Sequence, residues 1–224
     1  MKYKALFLDF YGTLVHEDGA AIAEITKIIS ASTPANNTPK EIGTHWWNEF
    51  RRLFENSYGS NFKTQRELEH ISIHKMLEHF QCKEIDLNID KALFTHWMKP
   101  PIFKDTLPFL AQNILPVCIV SNIDTSDILT AIEFHSLNFK NVVTSEDAKS
   151  YKPRSEIFEM ALGKMNLLPH EVLHVGDSLT ADIVGAHNCG IHSFWLNRKS
   201  RQVPHNCVAT YRGNSLLDIL KHCT

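Results

Sequence analysis

The chain has 224 residues, 43% of them hydrophobic, with 23 basic and 25 acidic side chains and a formal net charge of −2. That length suits one α/β domain with a sizeable insertion, the apolar content is that of a folded globular protein, and the balanced charge gives no electrostatic footprint for nucleic acid. No run of like charge, low-complexity tract or internal repeat is present.

The first predicted element is an apolar strand over residues 3–8 that stops at Asp9. Only four uninterrupted apolar residues, Ala5 to Leu8, follow Lys4, which is too short a run for a signal peptide or a membrane span. The cysteines (82, 118, 189, 207 and 223) are odd in number and lack zinc-type spacing, so reduced thiols and a cytoplasmic location are expected. From residue 15 to 99 the pattern turns helical: AAIAEITKIIS at 20–30, THWWNEFRRLF at 44–54, RELEHISIHKMLEHF at 66–80 and NIDKALFTHWM at 88–98. Turn-prone STPANNTP and Pro100-Pro101 punctuate it.

Strand-like runs then resume as VCIVS at 117–121, NVV at 141–143, VLHV at 172–175 and HSFWL at 192–196. Helical patterns lie between the later ones: SDILTAIEF, SEIFEMALGKM and SLTADIVGAHNCG. This alternation predicts a doubly wound, Rossmann-like parallel sheet built from residues 1–14 and 100–224, with an inserted α-helical cap over 15–99. In such a sheet, functional groups gather at the carboxyl ends of the strands. Asp9 and Thr13, Ser121-Asn122, Lys152-Pro153, and Gly176-Asp177 with Asp182 all stand at or just beyond such ends.

The four segments DFYGT, SN, YKPRSEIF and VGDSLTADI, in that order, resemble the motifs of the haloacid dehalogenase superfamily, and PPIFKDTLPFL is similar to its re-entry segment. The resemblance implies that Asp9 is a nucleophile forming a covalent aspartyl intermediate. It implies that Thr13 orients Asp9, and that Gly12, Ser121 and Asn122 bind the transferred group with Lys152 as a fixed positive charge. It further implies that Asp9, the main-chain carbonyl of Tyr11, and Asp177 hold Mg²⁺, with Asp182 in or just behind the coordination shell. Electrostatics leads to the same ion. Two carboxylates about 4 Å apart repel by roughly 4 kcal/mol at an effective dielectric of 20, and one lysine cannot neutralise three of them.

Tyr11 divides the resemblance. Phosphatases of the superfamily place an aspartate there to protonate the leaving group, whereas its 2-haloacid dehalogenases place tyrosine. Those dehalogenases, however, lack the acid pair seen here in GDSLTAD. The expected substrate is therefore a small phosphorylated metabolite with a good leaving group, or alternatively a halogenated acid. Two further readings are cleavage of a phosphonate bond using Lys63 or Lys75, and a catalytically silent binding module.

Blander roles are weighed alongside. Tyr11 packs beneath the cap as readily as it reacts. His70 and His74 read as a solvated helix face, and His174 as a satisfied core histidine. Trp46, Trp47 and Trp97 are expected to form the cap's own core. Arg51 or Arg52, but not both, is positioned by helical spacing to reach an anionic substrate.

Overall fold

The computed structural model describes residues 2–82 and 89–223. Six parallel strands form one sheet: β1 (Ala5–Leu8), β2 (Val117–Ser121), β3 (Asn141–Thr144), β4 (Val172–Gly176), β5 (His192–Leu196) and β6 (Tyr211–Gly213). Their spatial order is β3-β2-β1-β4-β5-β6. Strand β1 is wholly buried because it is paired on both edges and covered on both faces. Its alternation splits the core. Leu6 and Leu8 pack into one apolar cluster, while Phe7 joins Cys118, Val120 and Val143 in the other. The Rossmann-like α/β architecture expected from the strand–helix alternation is the one the chain adopts. The three-residue edge strand β6 carries no apolar run that would announce it.

Between β1 and β2 lie α1 (Gly19–Ser32), α2 (Pro39–Glu55), α3 (Gln65–His79) and α4 (Lys91–Met98). The expected stretch 88–98 is helical over 91–98, and its first residue lies outside the described residues. Helices α2 and α3 each start with a capping box, Thr38 with Glu41 and Thr64 with Glu67, which satisfies backbone donors that would otherwise be orphaned. Trp46 and Trp97 are buried as expected, but Trp47 is 59% exposed and does not belong to the helical core. The chain's two crossings between these helices and the sheet run side by side. Val15 bridges Ile102, His16 N–H donates to the Pro101 carbonyl at 2.8 Å, and Phe103 N–H donates to Leu14 at 3.1 Å.

The remaining helices are α5 (Thr106–Gln112), α6 (Thr125–Phe134), α7 (Ser145–Ala148), α8 (Ser155–Met165) and α9 (Gly185–Asn188). The helix expected over 178–190 is instead a π-helical turn, Leu179–Val184, that passes into α9. Helix α6 and the loop before it hold the helical segment down. Asp124 accepts from the first two backbone N–H groups of α3, Gln65 at 2.6 Å and Arg66 at 3.0 Å, where a carboxylate complements the helix dipole. The Arg66 guanidinium forks onto Asp127 at 2.8 and 2.5 Å. No helix among the described residues is long and apolar enough to cross a membrane.

Candidate active site

Three neighbouring strands, β2, β1 and β4, end together and deliver Ser121, Asp9 and Asp177 to one edge of the sheet. Asp9 extends β1 by one rung, its N–H donating to the Val175 carbonyl at 2.9 Å. One carboxylate oxygen, Oδ2, accepts from Thr13 Oγ1 at 3.0 Å, and the other, Oδ1, from Lys152 Nζ at 2.8 Å. The Lys152 ammonium is 2% exposed and makes two further bonds, to Asp182 Oδ1 at 2.7 Å and to the Val120 carbonyl at 2.8 Å. Its three protons thus have three acceptors, which a buried ammonium requires. Burial alone would push its pKa down, but Asp182 and Asp9 outweigh that and raise it.

The three carboxylates are not equivalent. Burial opposes charge on Asp182, yet Lys152 and His174 hold it well below the usual carboxylate range. Its Oδ1 faces Lys152 and His174 Nε2, the latter at 3.0 Å, while Oδ2 accepts from Ser178 N–H at 3.0 Å. His174 therefore carries its proton on Nε2 and donates. Its Nδ1 is buried without a partner among the described residues, so the histidine is only half satisfied, contrary to expectation. Asp9 has fewer donors and is pushed up, first by burial and then by Asp182, against the pull of Lys152. Asp177 is pushed up to about 8 by burial, then by Asp9 and Asp182, with Arg201 only partly opposing.

Glycines make this crowding possible. Gly12 has φ +86°, and a Cβ there would lie 2.6 Å from Asp177 Oδ1. A Cβ on Gly176 would stand 2.1 Å from Asp182 Cγ. One oxygen from each of Asp9, Asp177 and Asp182 falls within 4.8 Å of the others. Hard carboxylate oxygens with an uncompensated charge among them fit a hard divalent cation such as Mg²⁺.

Sequence reasoning named Asn122 but not the role of its side chain, and it missed Arg198 and Asp105. The Asn122 side chain clamps Lys152 at two points: Oδ1 accepts from its N–H at 2.7 Å, and Nδ2 donates to its carbonyl at 3.0 Å. Arg198 Nη2 donates to the Thr13 carbonyl at 2.7 Å, and the same guanidinium makes two 3.0 Å bonds to Asp105. Beside Gly12 and Asp177 opens a cavity of about 620 Å³, walled by His16, His96, Phe103 and Arg201.

The Tyr11 hydroxyl is engaged with the helical segment. It donates to the Trp97 carbonyl at 2.6 Å, and burial raises its pKa further above the phenol range. Arg51 and Arg52 are exposed and paired with Glu55 at 3.9 Å and Glu49 at 2.9 Å. Lys63 is exposed and Lys75 pairs with Glu49 at 3.7 Å.

A haloacid dehalogenase-like hydrolase family model matches residues 3–190. The chain belongs to the haloacid dehalogenase-like hydrolases. Among curated relatives of this family, the glyceraldehyde 3-phosphate phosphatase of Pyrococcus furiosus is 28% identical over 202 residues, 87% of this chain and 81% of that protein. The first two curated relatives are matched over only 26% and 28% of their own lengths. Among solved structures, the L-2-haloacid dehalogenase RSc1362 superposes with a TM-score of 0.80 at 17% identity, covering 100% of this chain and 99% of that one. The HAD-hydrolase YfnB of Bacillus subtilis, crystallised bound to magnesium, gives 0.74 at 19% identity with full coverage of both chains. At such identities the structural likeness concerns the fold.

Proposed function

We propose that this hydrolase is a Mg²⁺-dependent phosphatase that acts on a small phosphorylated metabolite through an aspartyl-phosphate on Asp9. The convergence of Asp9, Asp177 and Asp182, of which only Asp9 and Asp182 are paired with the buried Lys152, carries this reading. Asp9, Asp177 and the Tyr11 carbonyl are the residues that would hold the ion. Asp182, whose oxygens already accept three hydrogen bonds, stands behind them. Mg²⁺ bound there supplies charge neutralisation among the carboxylates and at the phosphoryl oxygens.

The rest is chemistry of the chain itself. An Asp9 oxygen attacks phosphorus, and the bond to the leaving oxygen breaks. Thr13 and Lys152 hold the carboxylate in line, and Lys152 balances the developing charge. Ser121 and the Asn122 backbone donate to the phosphoryl oxygens. Water then attacks the same phosphorus, releasing phosphate and restoring Asp9. The Tyr11 proton is committed to Trp97, so the leaving oxygen departs without a dedicated acid. A missing general acid costs about 10²–10⁴ in rate, least where the leaving group is a weak base. Aryl and acyl phosphates are accordingly favoured. The phosphatase names of several curated relatives, including the Pyrococcus protein, support the reaction class. The five free cysteines support a cytoplasmic setting. Residues 15–99 act as the cap, closing over the substrate to exclude water.

The second reading is a 2-haloacid dehalogenase, favoured by Tyr11 at the position after Phe10. A paired assay separates the two: p-nitrophenyl phosphate hydrolysis with and without Mg²⁺, beside halide release from 2-chloropropionate. Metal-dependent phosphate release supports the proposal. Chelator-resistant halide release overturns it, and activity in neither assay points to a binding module.

A further inference from the structure

A second cavity, of about 190 Å³, lies among the cap helices and has a different chemistry from the one beside Asp177. Trp46, Trp47 and Phe50 of α2 supply aromatic wall. Asp18, Gln65 and Glu69 supply the polar part. Among the described residues, no lysine, arginine or histidine lines it. The Trp46 indole N–H is engaged by Glu69 Oε2 at 3.1 Å and Ser72 Oγ at 2.9 Å, and the Trp97 indole N–H by Asp18 Oδ2 at 2.9 Å.

Gly43 adds an independent observation. It sits inside α2 and lines the cavity, where glycine is a poor helix former. Its backbone does not demand glycine, and a Cβ there would meet only Thr26 Cγ2, at an ordinary 3.6 Å. The missing side chain leaves room that the packing does not require.

We infer that this cavity binds the protonated amine of a small organic cation, held by Asp18 and Glu69 against the Trp46, Trp47 and Phe50 rings. Two carboxylates call for a positively charged hydrogen-bond donor, and aromatic rings attract a cation but not an anion. Burial pushes Glu69 up to about 8, with Asp18 adding to it, and raises Asp18 itself. Both acids therefore stand to gain from a bound positive charge. At about 30 Å³ per water-sized unit, the space accepts roughly six non-hydrogen atoms, an aminoalkyl arm.

The cavity is tied to the reaction centre. Trp97, whose indole holds Asp18, accepts the Tyr11 hydroxyl on its carbonyl. Resting on the phosphatase reading, the cation is the amine end of the substrate, a phosphate ester carrying a protonated amine.

Tryptophan fluorescence reports on the site directly, since Trp46 and Trp47 line it. Titration with n-butylammonium should give a saturable change that 1-butanol and butyrate do not give, with affinity about tenfold weaker in Glu69→Gln. Gly43→Leu, which fills the space, should abolish it, and circular dichroism checks that both variants are folded. Equal response to butanol and butylammonium, or unchanged binding in Glu69→Gln, overturns the inference. A second measurement compares kcat/KM for 4-(2-aminoethyl)phenyl phosphate and 4-propylphenyl phosphate. Preference for the amine that disappears in Glu69→Gln supports the substrate assignment, and parity in the wild type refutes it. Ammonium binding without hydrolysis of either ester leaves the site standing and counts against the phosphatase reading instead.

Discussion

Replacing Lys152 with methionine keeps the side chain's length and removes its charge. In the folded chain that charge is 2% exposed and lies 2.8 Å from Asp9 and 2.7 Å from Asp182. Its loss leaves two buried carboxylates facing each other, and removes a hydrogen bond to the Val120 carbonyl. Removing one partner of a buried ion pair costs about 3–5 kcal/mol. For a chain of this size each kcal/mol lowers Tm by about 2–4 °C, which gives a fall of roughly 6–20 °C for Lys152→Met. The loss is specific to the pairing, so Asp182→Asn in the same molecule should recover part of it. The double variant should be less destabilised than the sum of the singles by about 0.5–3 kcal/mol. Urea unfolding of the four proteins in chelator measures this cycle. A Tm for Lys152→Met within about 2 °C of wild type, or strict additivity in the cycle, would refute the electrostatic account of the site.

Gly12→Ala meets both a left-handed backbone and a contact of 2.6 Å with Asp177 Oδ1, so it should cost about 1–3 kcal/mol in thermal unfolding and depress turnover by displacing Asp177. Tyr11→Asp should raise hydrolysis of alkyl phosphates more than of aryl phosphates, because it supplies the absent proton donor. Steady-state rates over esters of graded leaving-group pKa test this, and an unchanged slope argues against it. Glu69 has its pKa raised from 4.5 to about 8, so the folded state binds a proton that the unfolded state releases as pH rises between those values. Stability from this group therefore falls across that window and the loss is complete above it. Glu69→Gln removes the penalty while keeping an acceptor for Trp46. Its Tm in amine-free buffer should rise relative to wild type from pH 5 to pH 8, and a constant difference contradicts the assignment.

Strands β1 to β5 were legible as short, mainly apolar runs, which burial in a covered parallel sheet favours. The motif residues were legible for a related reason: each ends or follows a strand, so topology alone brings Asp9, Ser121 and Asp177 together. What holds them was not. Arg198 reaches Thr13 across 185 positions and Asp105 across 93, and no local pattern marks such a partner. Trp46 and Trp47 are adjacent and chemically alike, yet helical geometry points one inward and leaves the other 59% exposed. Arg51 and Arg52 satisfied the helical spacing argument, but partners three and four residues away on their own helix claim both. The stretch after Asp177 has helical composition. Its π-helical turn follows from Asp182 folding back to Lys152, His174 and the Ser178 N–H, contacts invisible to a periodicity.

Rapid acid quench during turnover of an aryl phosphate, followed by mass analysis of the peptide that contains Asp9, tests the central claim most directly. The account predicts a phosphoryl group on Asp9 that forms with Mg²⁺, decays as phosphate appears, and is absent in Asp9→Asn. Steady phosphate release with an unmodified Asp9, or turnover that survives Asp9→Asn, would contradict it.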